Sequence, residues 1–357
     1  MHSALFCLVM AARRISNFHR QLCPRNSKSI PVEGNTTSAS MSSSSTSIPF
    51  ISSQEAEKAL TYAALIPAIE QALGDFSNGE QGGVVQPLRS VFPVKKQDGY
   101  FLSMPAYSEK QSGLACKLLT LFPKNENTKF PVLQGTIALF DPDNGSLKAI
   151  LDGEAITGMR TAAASAVATK YLAPEGSKIL AILGAGLQAS THLQALRHVI
   201  PFSEVRVWNR TYARAEAFAA KYGCIACKTG EEAVKDADVI ATVTGTSTPI
   251  LQSEWVKDGA HINCVGAPVP DQQELDPALV RRSVIYADSK EAALNESGDV
   301  VISKAEVFGE IGEVVLGKLK ARRNETTIFK SLGSCLGCMR QISYSCFGLR
   351  IETVNLC

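Results

Sequence analysis

The 357-residue chain predicts an α/β fold in which a doubly wound parallel sheet is joined to a smaller antiparallel α+β domain. Two patterns carry this. From Lys178 onward, short apolar runs alternate with helix-forming stretches, which implies a parallel sheet with helices on both faces. Between Val84 and Leu151, short β-type runs are separated by Gly, Pro, Asn and Asp, the punctuation of an antiparallel sheet.

Ser52-Ser53-Gln54-Glu55 signals a helix start ahead of Ala56–Leu60, and Leu65–Phe76 forms a second helix. Leu88–Val94, Tyr100–Met104, Ala115–Leu121 and Thr136–Phe140 are the strand candidates that follow. The turn at Asp141-Pro-Asp-Asn-Gly145 makes Leu147–Asp152 a hairpin partner of the last of them. An Ala-rich helix, Thr161–Tyr171, then bridges into the alternating half. Its strands are 179–183, 204–208, 224–227, 238–244, 261–265 and 284–288. Its helices are 187–198, 212–222, 230–236, 276–282 and a last one through Leu294. The implied division is a leader (1–47), an antiparallel domain (48–160 with 315–333), a nucleotide-binding domain (161–314) and an atypical tail (334–357).

With 45% hydrophobic and 20% charged residues the composition is that of an ordinary globular protein. A formal charge of +2 gives no reason to expect nucleic acid or an anionic membrane as partner. No apolar run is long enough to predict a membrane span. The leader is basic, Ser-rich and poor in acids, the look of a mitochondrial transit peptide. Met41 also heads a Ser-rich run that would serve a cytosolic protein, and a cytoplasmic location is the preferred expectation. The ten cysteines read as reduced thiols. Cys224-x-x-Cys227 and Cys335-x-x-Cys338 mimic a zinc site, but the pairs lie too far apart for a compact one. On a strand, residues three apart also face opposite ways, so no metal is expected.

The stretch 179-ILAILGAGLQASTHL-193 is the most informative. A continuous apolar strand stops at Gly184-Ala185-Gly186 and a helix follows, with small Ala189 where a third glycine often stands. Gly184 permits the sharp turn, Gly186 lets a pyrophosphate approach, and the helix start faces the anion. The next strand ends at Asn209-Arg210-Thr211, where an NAD-binding fold places a carboxylate on the ribose hydroxyl. Here a guanidinium stands instead, which suits a 2′-phosphate. The expected cofactor is NADPH, with NADH weaker.

Gly184-Ala-Gly-Leu-Gln-Ala189, Trp208-Asn-Arg-Thr211, Thr157-Gly-Met-Arg-Thr-Ala-Ala163 and Phe329-Lys-Ser-Leu-Gly333 together resemble the ornithine cyclodeaminase/mu-crystallin family, over roughly Ile48 to Gly333. The resemblance implies a Rossmann domain, an antiparallel domain that makes a homodimer, and an active site in the crevice between them. Matched by motif, it puts Arg89, Lys117 and Arg160 on a substrate carboxylate and Glu296 in the ligand pocket. Cations on apolar strands call for an anion in any case. Lys117 is the candidate to donate or relay a proton, because neighbouring cations make a lysine easier to deprotonate. The resemblance places Arg160, Thr161, Gly184, Ala185, Gly186 and Gln188 on the cofactor. Asn209, Arg210, Thr211, Thr244, Val265 and Ser331 complete that set.

The implied activity is NADPH-dependent reduction of the C=N bond in small cyclic 2-carboxy imines. Two rivals stand beside it: an amino-acid dehydrogenase or cyclodeaminase, and a non-catalytic thyroid-hormone-binding or crystallin protein. Deaminating members carry an aspartate where this chain has Pro268, which counts against cyclodeamination. A Ser-His pair of some members stands here as Val132-Leu133, and the tail lacks a 3.6-residue period.

Overall fold

The computed structural model describes residues 48–126 and 128–333, so the readings of the leader, the tail and Cys335-x-x-Cys338 lie outside the described residues. Strand β1 (Phe50–Ile51) leads into α1 (Ser53–Ala59), whose start is a capping box. The Ser52 hydroxyl accepts the Glu55 N–H at 3.3 Å, while the Glu55 carboxylate accepts the Ser52 N–H at 2.9 Å. Helix α2 (Tyr62–Ser77) follows, three residues longer at its start than its apolar pattern predicts.

The antiparallel sheet adds β2 (Val84–Val85), β3 (Ser90–Val94), β4 (Gly99–Ser108), β5 (Gly113–Leu121), β6 (Leu133–Phe140) and β7 (Leu147–Asp152). Its order is β1-β7-β6-β5-β4-β2, with β3 also on β4, and β1 alone is parallel to its neighbour. Alternation decides its faces. Met104, Ala115, Ile137, Leu139, Ala149 and Leu151 point inward to a core shared with Ala56, Ala72 and Ile156. Lys117 lies on this inner face, between its strand partners Met104 and Ile137.

Helix α3 (Gly153–Leu172) leaves β7 directly, with Asp152 as its cap. It is buried along nearly its whole length, because it packs against α2 on one side and the parallel sheet on the other. Its run of alanines is what allows so close a fit. The expected domain boundary at residue 160 therefore falls inside one continuous helix.

The second half contains β8 (Ile179–Leu183), α4 (Leu187–Val199), β9 (Glu204–Trp208), α5 (Tyr212–Tyr222), β10 (Ile225–Ala226) and α6 (Gly230–Val234). It continues with β11 (Val239–Thr242), β12 (His261–Cys264), α7 (Pro277–Arg282), β13 (Val284–Ala287), α8 (Lys290–Glu296) and α9 (Gly298–Ser303). It ends with β14 (Val307–Glu310), α10 (Ile311–Val315) and β15 (Thr327–Lys330). All strands are parallel, in the order β10-β9-β8-β11-β12-β15-β13-β14. This corrects one expectation. The segment 315–333 is divided: Val315 and Leu316 lie against Gly74 of α2 and Lys318 donates to Asn78 at 2.6 Å, but the strand Thr327–Lys330 inserts between β12 and β13. A four-residue strand buried on both faces has no alternation to reveal it. Among the described residues, no cluster of His, Cys, Asp or Glu could hold a metal ion.

The contact of α3 with α4 is a tight one. A Cβ on Gly158 would lie 3.1 Å from Thr191 Cγ2 and 3.3 Å from Leu187 Cγ. Replacing Gly158 with Val should destabilise the fold by about 1–3 kcal/mol through overpacking. A lowered urea midpoint measures this, and an unchanged midpoint would show that the helices separate freely.

Candidate active site

In a parallel sheet every strand delivers its carboxyl end to the same edge, and here that edge collects the expected cofactor residues. Along it stand Asn209–Thr211 after β9, Gly184–Gly186 after β8, Thr244 beyond β11, Val265 after β12 and Ser331 after β15. The chain fills the sheet on one side of β8 and then crosses to the other, so the crevice of the topological switch lies between β8 and β11. Gly184 has φ +127, and a Cβ there would meet Val243 Cγ2 at 3.0 Å. At Gly186 a Cβ would meet no protein atom, so the space beside it is open to a ligand. Gly186 caps the thirteen-residue α4 without a side-chain hydrogen bond. Thr211 caps α5 in the same bare way. Gln188 Oε1 and Ser331 Oγ are buried without hydrogen-bond partners. Helix-start donors, an open glycine and two orphaned polar atoms fit a dinucleotide.

Arg210 is exposed at the tip beyond β9, and Asn209 Nδ2 donates to the Thr211 carbonyl at 3.0 Å. Ala185 is half-buried beside the turn. Thr161 is buried within α3, its hydroxyl on the Thr157 carbonyl at 2.6 Å. Thr244 is also tied to the interior of the protein. Its hydroxyl donates to Glu274 Oε1 at 2.7 Å, so its hydrogen is committed within the protein.

The cations meet on the other side of this edge. A cleft lined by Phe76, Gln86, Arg89, Met104, Asp288 and Glu296 runs between the antiparallel domain and the ends of β13 and β15. Arg89 precedes β3, pairs with Glu296 at 2.7 Å, and donates through Nη2 to the Leu332 carbonyl at 2.6 Å. The guanidinium of Arg160 lies against Gly333, which has φ +86; a Cβ there would sit 2.8 Å from Nη2. Lys117 is 1% exposed, beside the cleft residue Met104. Burial pushes the Glu296 carboxyl up, and the Arg89 charge opposes this.

Sequence reasoning missed two features. The first is Asp288, buried just past β13. The second is a buried polar cluster beneath the crevice. Lys330 Nζ donates to the Gly266 carbonyl and to Asp299 Oδ2 at 3.1 Å, and lies 3.4 Å from Cys264 Sγ. Asp299 Oδ1 accepts the N–H groups of Glu274 and Leu275 at 2.8 and 2.9 Å. Glu274 in turn accepts the Thr242 hydroxyl and the Gly266 N–H, each at 2.8 Å. Burial alone would push the Lys330 ammonium down, but Cys264, Asp299 and Glu274 outweigh it and hold the charge. Burial raises Glu274 and lifts the Cys264 thiol far above its ordinary value. Lys330 lay within the motif Phe329-Lys-Ser-Leu-Gly333, yet its partners are too distant in sequence for spacing to reveal them.

A parallel sheet with a bare glycine turn, joined to an antiparallel sheet across a cleft lined by Arg89, defines a nucleotide-binding α/β protein with a second ligand cleft. The profile of the ornithine cyclodeaminase/mu-crystallin family matches residues 49–337, and the chain belongs to that family. Mouse ketimine reductase mu-crystallin is 51% identical over 287 residues, covering 80% of this chain and 92% of the mouse protein. The Thermococcus litoralis pyrroline-2-carboxylate reductase, solved with NADH and L-proline, superposes with a TM-score of 0.79 at 34% identity. That match covers 84% of this chain and 96% of the other. An archaeal alanine dehydrogenase dimer with bound NAD gives a TM-score of 0.77 at 28% identity, covering 84% and 94%.

The buried cluster makes a direct prediction. Lys330→Met leaves Asp299 and Glu274 buried without their cation and should destabilise the protein by about 3–5 kcal/mol. Thermal or urea unfolding reads this, and wild-type stability would mean the cluster is not charged.

Proposed function

We propose that this chain reduces the C=N bond of small cyclic 2-carboxy imines with NADPH. The observation that carries the reading is a cleft lined by Arg89, with Arg160 against its lining residue Gly333 and Lys117 paired to its lining residue Met104. Reductases of imine carboxylates among the relatives support it. When bound, the cofactor supplies a hydride to the imine carbon. The chain's own residues do the rest. Arg89 and Arg160 hold the carboxylate, fixing the carbon next to it in place of a random encounter. Lys117 supplies the proton that the imine nitrogen needs, so that C–H and N–H bonds replace the C=N double bond. The same cations suit the carboxylate of thyroid hormone, which we propose as a competing ligand.

The test follows NADPH absorbance with piperideine-2-carboxylate, pyrroline-2-carboxylate, ornithine, and pyruvate plus ammonia. Oxidation with pyruvate plus ammonia but with neither ketimine would replace this reading by an amino-acid dehydrogenase. For cofactor choice, Arg210→Ala should weaken NADPH by about 1.5–3 kcal/mol, one charge-assisted contact, and spare NADH. Equal loss of both would remove Arg210 from phosphate recognition.

We also propose a homodimer built on the outer face of the antiparallel sheet. Alternation turns Leu114, Cys116 and Leu118 of β5 away from the core, beside Phe92 and Phe101, whose rings lie 6.3 Å apart. A solvated outer face would be polar. Leu118→Asp should shift gel filtration from dimer to monomer; an unchanged dimer would move the interface elsewhere.

A further inference from the structure

Asp288 has no assigned role, yet it sits where the two guanidiniums are fixed. It is 3% exposed, at the carboxyl end of the strand next to β15. Its Oδ2 accepts the Leu332 N–H at 3.0 Å and the Gly333 N–H at 2.8 Å. Its Oδ1 accepts the Ser289 N–H at 3.0 Å. The two residues it grips are the two that hold the cations: the Leu332 carbonyl takes Arg89 Nη2 at 2.6 Å, and Gly333 underlies the Arg160 guanidinium.

We propose that Asp288 is a positioning residue that sets the spacing of Arg89 and Arg160 for one substrate carboxylate, acting through the Leu332-Gly333 backbone. This rests on the carboxylate-binding reading of the cleft. Asp288 does not itself bind substrate. Three N–H donors occupy its oxygens, and a bare carboxylate facing the cleft would repel the ligand. Burial pushes its carboxyl up, while the Gly333 and Leu332 N–H groups, Arg160 and Arg89 favour the ionised form. A second carboxylate, Glu296 at the end of α8, pairs with Arg89 at 2.7 Å.

Asp288→Asn keeps the shape but turns one oxygen into a donor aimed at backbone N–H groups. Gly333→Ala leaves Asp288 intact and pushes a methyl group into the Arg160 guanidinium. The full-length protein is compared with both variants in four measurements. These are kcat and KM for piperideine-2-carboxylate, calorimetric binding of L-proline to the NADP-loaded protein, NADPH affinity, and the thermal midpoint.

Each variant should raise KM and the L-proline Kd by roughly tenfold, the loss of one charge-assisted contact, with smaller changes in kcat and NADPH affinity. An Asp288→Asn variant within twofold of wild type in KM and L-proline Kd would overturn the proposal. So would equal losses of L-proline and NADPH affinity with a lowered midpoint, since that describes general loosening. L-proline binding also separates the two readings. If wild type reduces no ketimine but L-proline binding falls in both variants, the reductase reading fails and the positioning role stands. If wild type neither reduces a ketimine nor binds L-proline, both fall.

Discussion

A lysine in the middle of a parallel sheet is the constraint around which this protein is arranged. Lys330 is 1% exposed on a strand flanked on both sides by others, so its ammonium cannot reach water. A charge in that position is tolerable only if its partners are themselves held in place. Asp299, at the start of α9, meets it at 3.1 Å, and Asp299 is fixed by the N–H groups of Glu274 and Leu275. Glu274 then fixes Thr244 and Gly266. The loops after β11 and β12, and the end of β15, become one unit. These are the loops that floor the crevice, so satisfying one buried charge also removes freedom from the surface where a cofactor would lie.

The same strand end serves the other half of the site. Across four successive residues, Lys330 reaches down into the cluster and Ser331 leaves a buried hydroxyl unpartnered. Leu332 then holds Arg89 by its carbonyl, and Gly333 supports Arg160. Helix α3 completes the link, since Arg160 projects from a helix that packs on both sheets. Arg89, Arg160 and the floor of the crevice are thus referred to one short segment, which limits how far they can drift apart.

Much of this was legible in the sequence, for physical reasons. Strands β8 and β9 and helix α5 lie where predicted because a buried strand and a capped helix each leave a local signature. The β7 hairpin was visible through its Asp-Pro-Asp-Asn-Gly turn. Strand β15 was not, because a four-residue strand buried on both faces shows no alternation, and its terminal lysine reads as a solvent-facing residue. Glu274, Asp288 and Asp299 escaped for a related reason. A buried carboxylate is justified only by partners brought from elsewhere by the fold, and nothing in its own neighbourhood announces them.

The two halves of the site also differ in how firmly their charges are committed. Arg160 is 6% exposed and Lys117 1%, so removing or repositioning either would leave buried structure to be rebuilt around it. Arg210 is exposed at a strand tip, where solvent screens its field and little else depends on it. Arg210 and its neighbours can therefore be altered with little consequence for the rest of the fold. Moving Arg89 or Arg160 would instead require altering the Leu332-Gly333 backbone that follows Lys330. The buried cations Arg160 and Lys117 belong to the architecture, whereas Arg210 belongs to its edge.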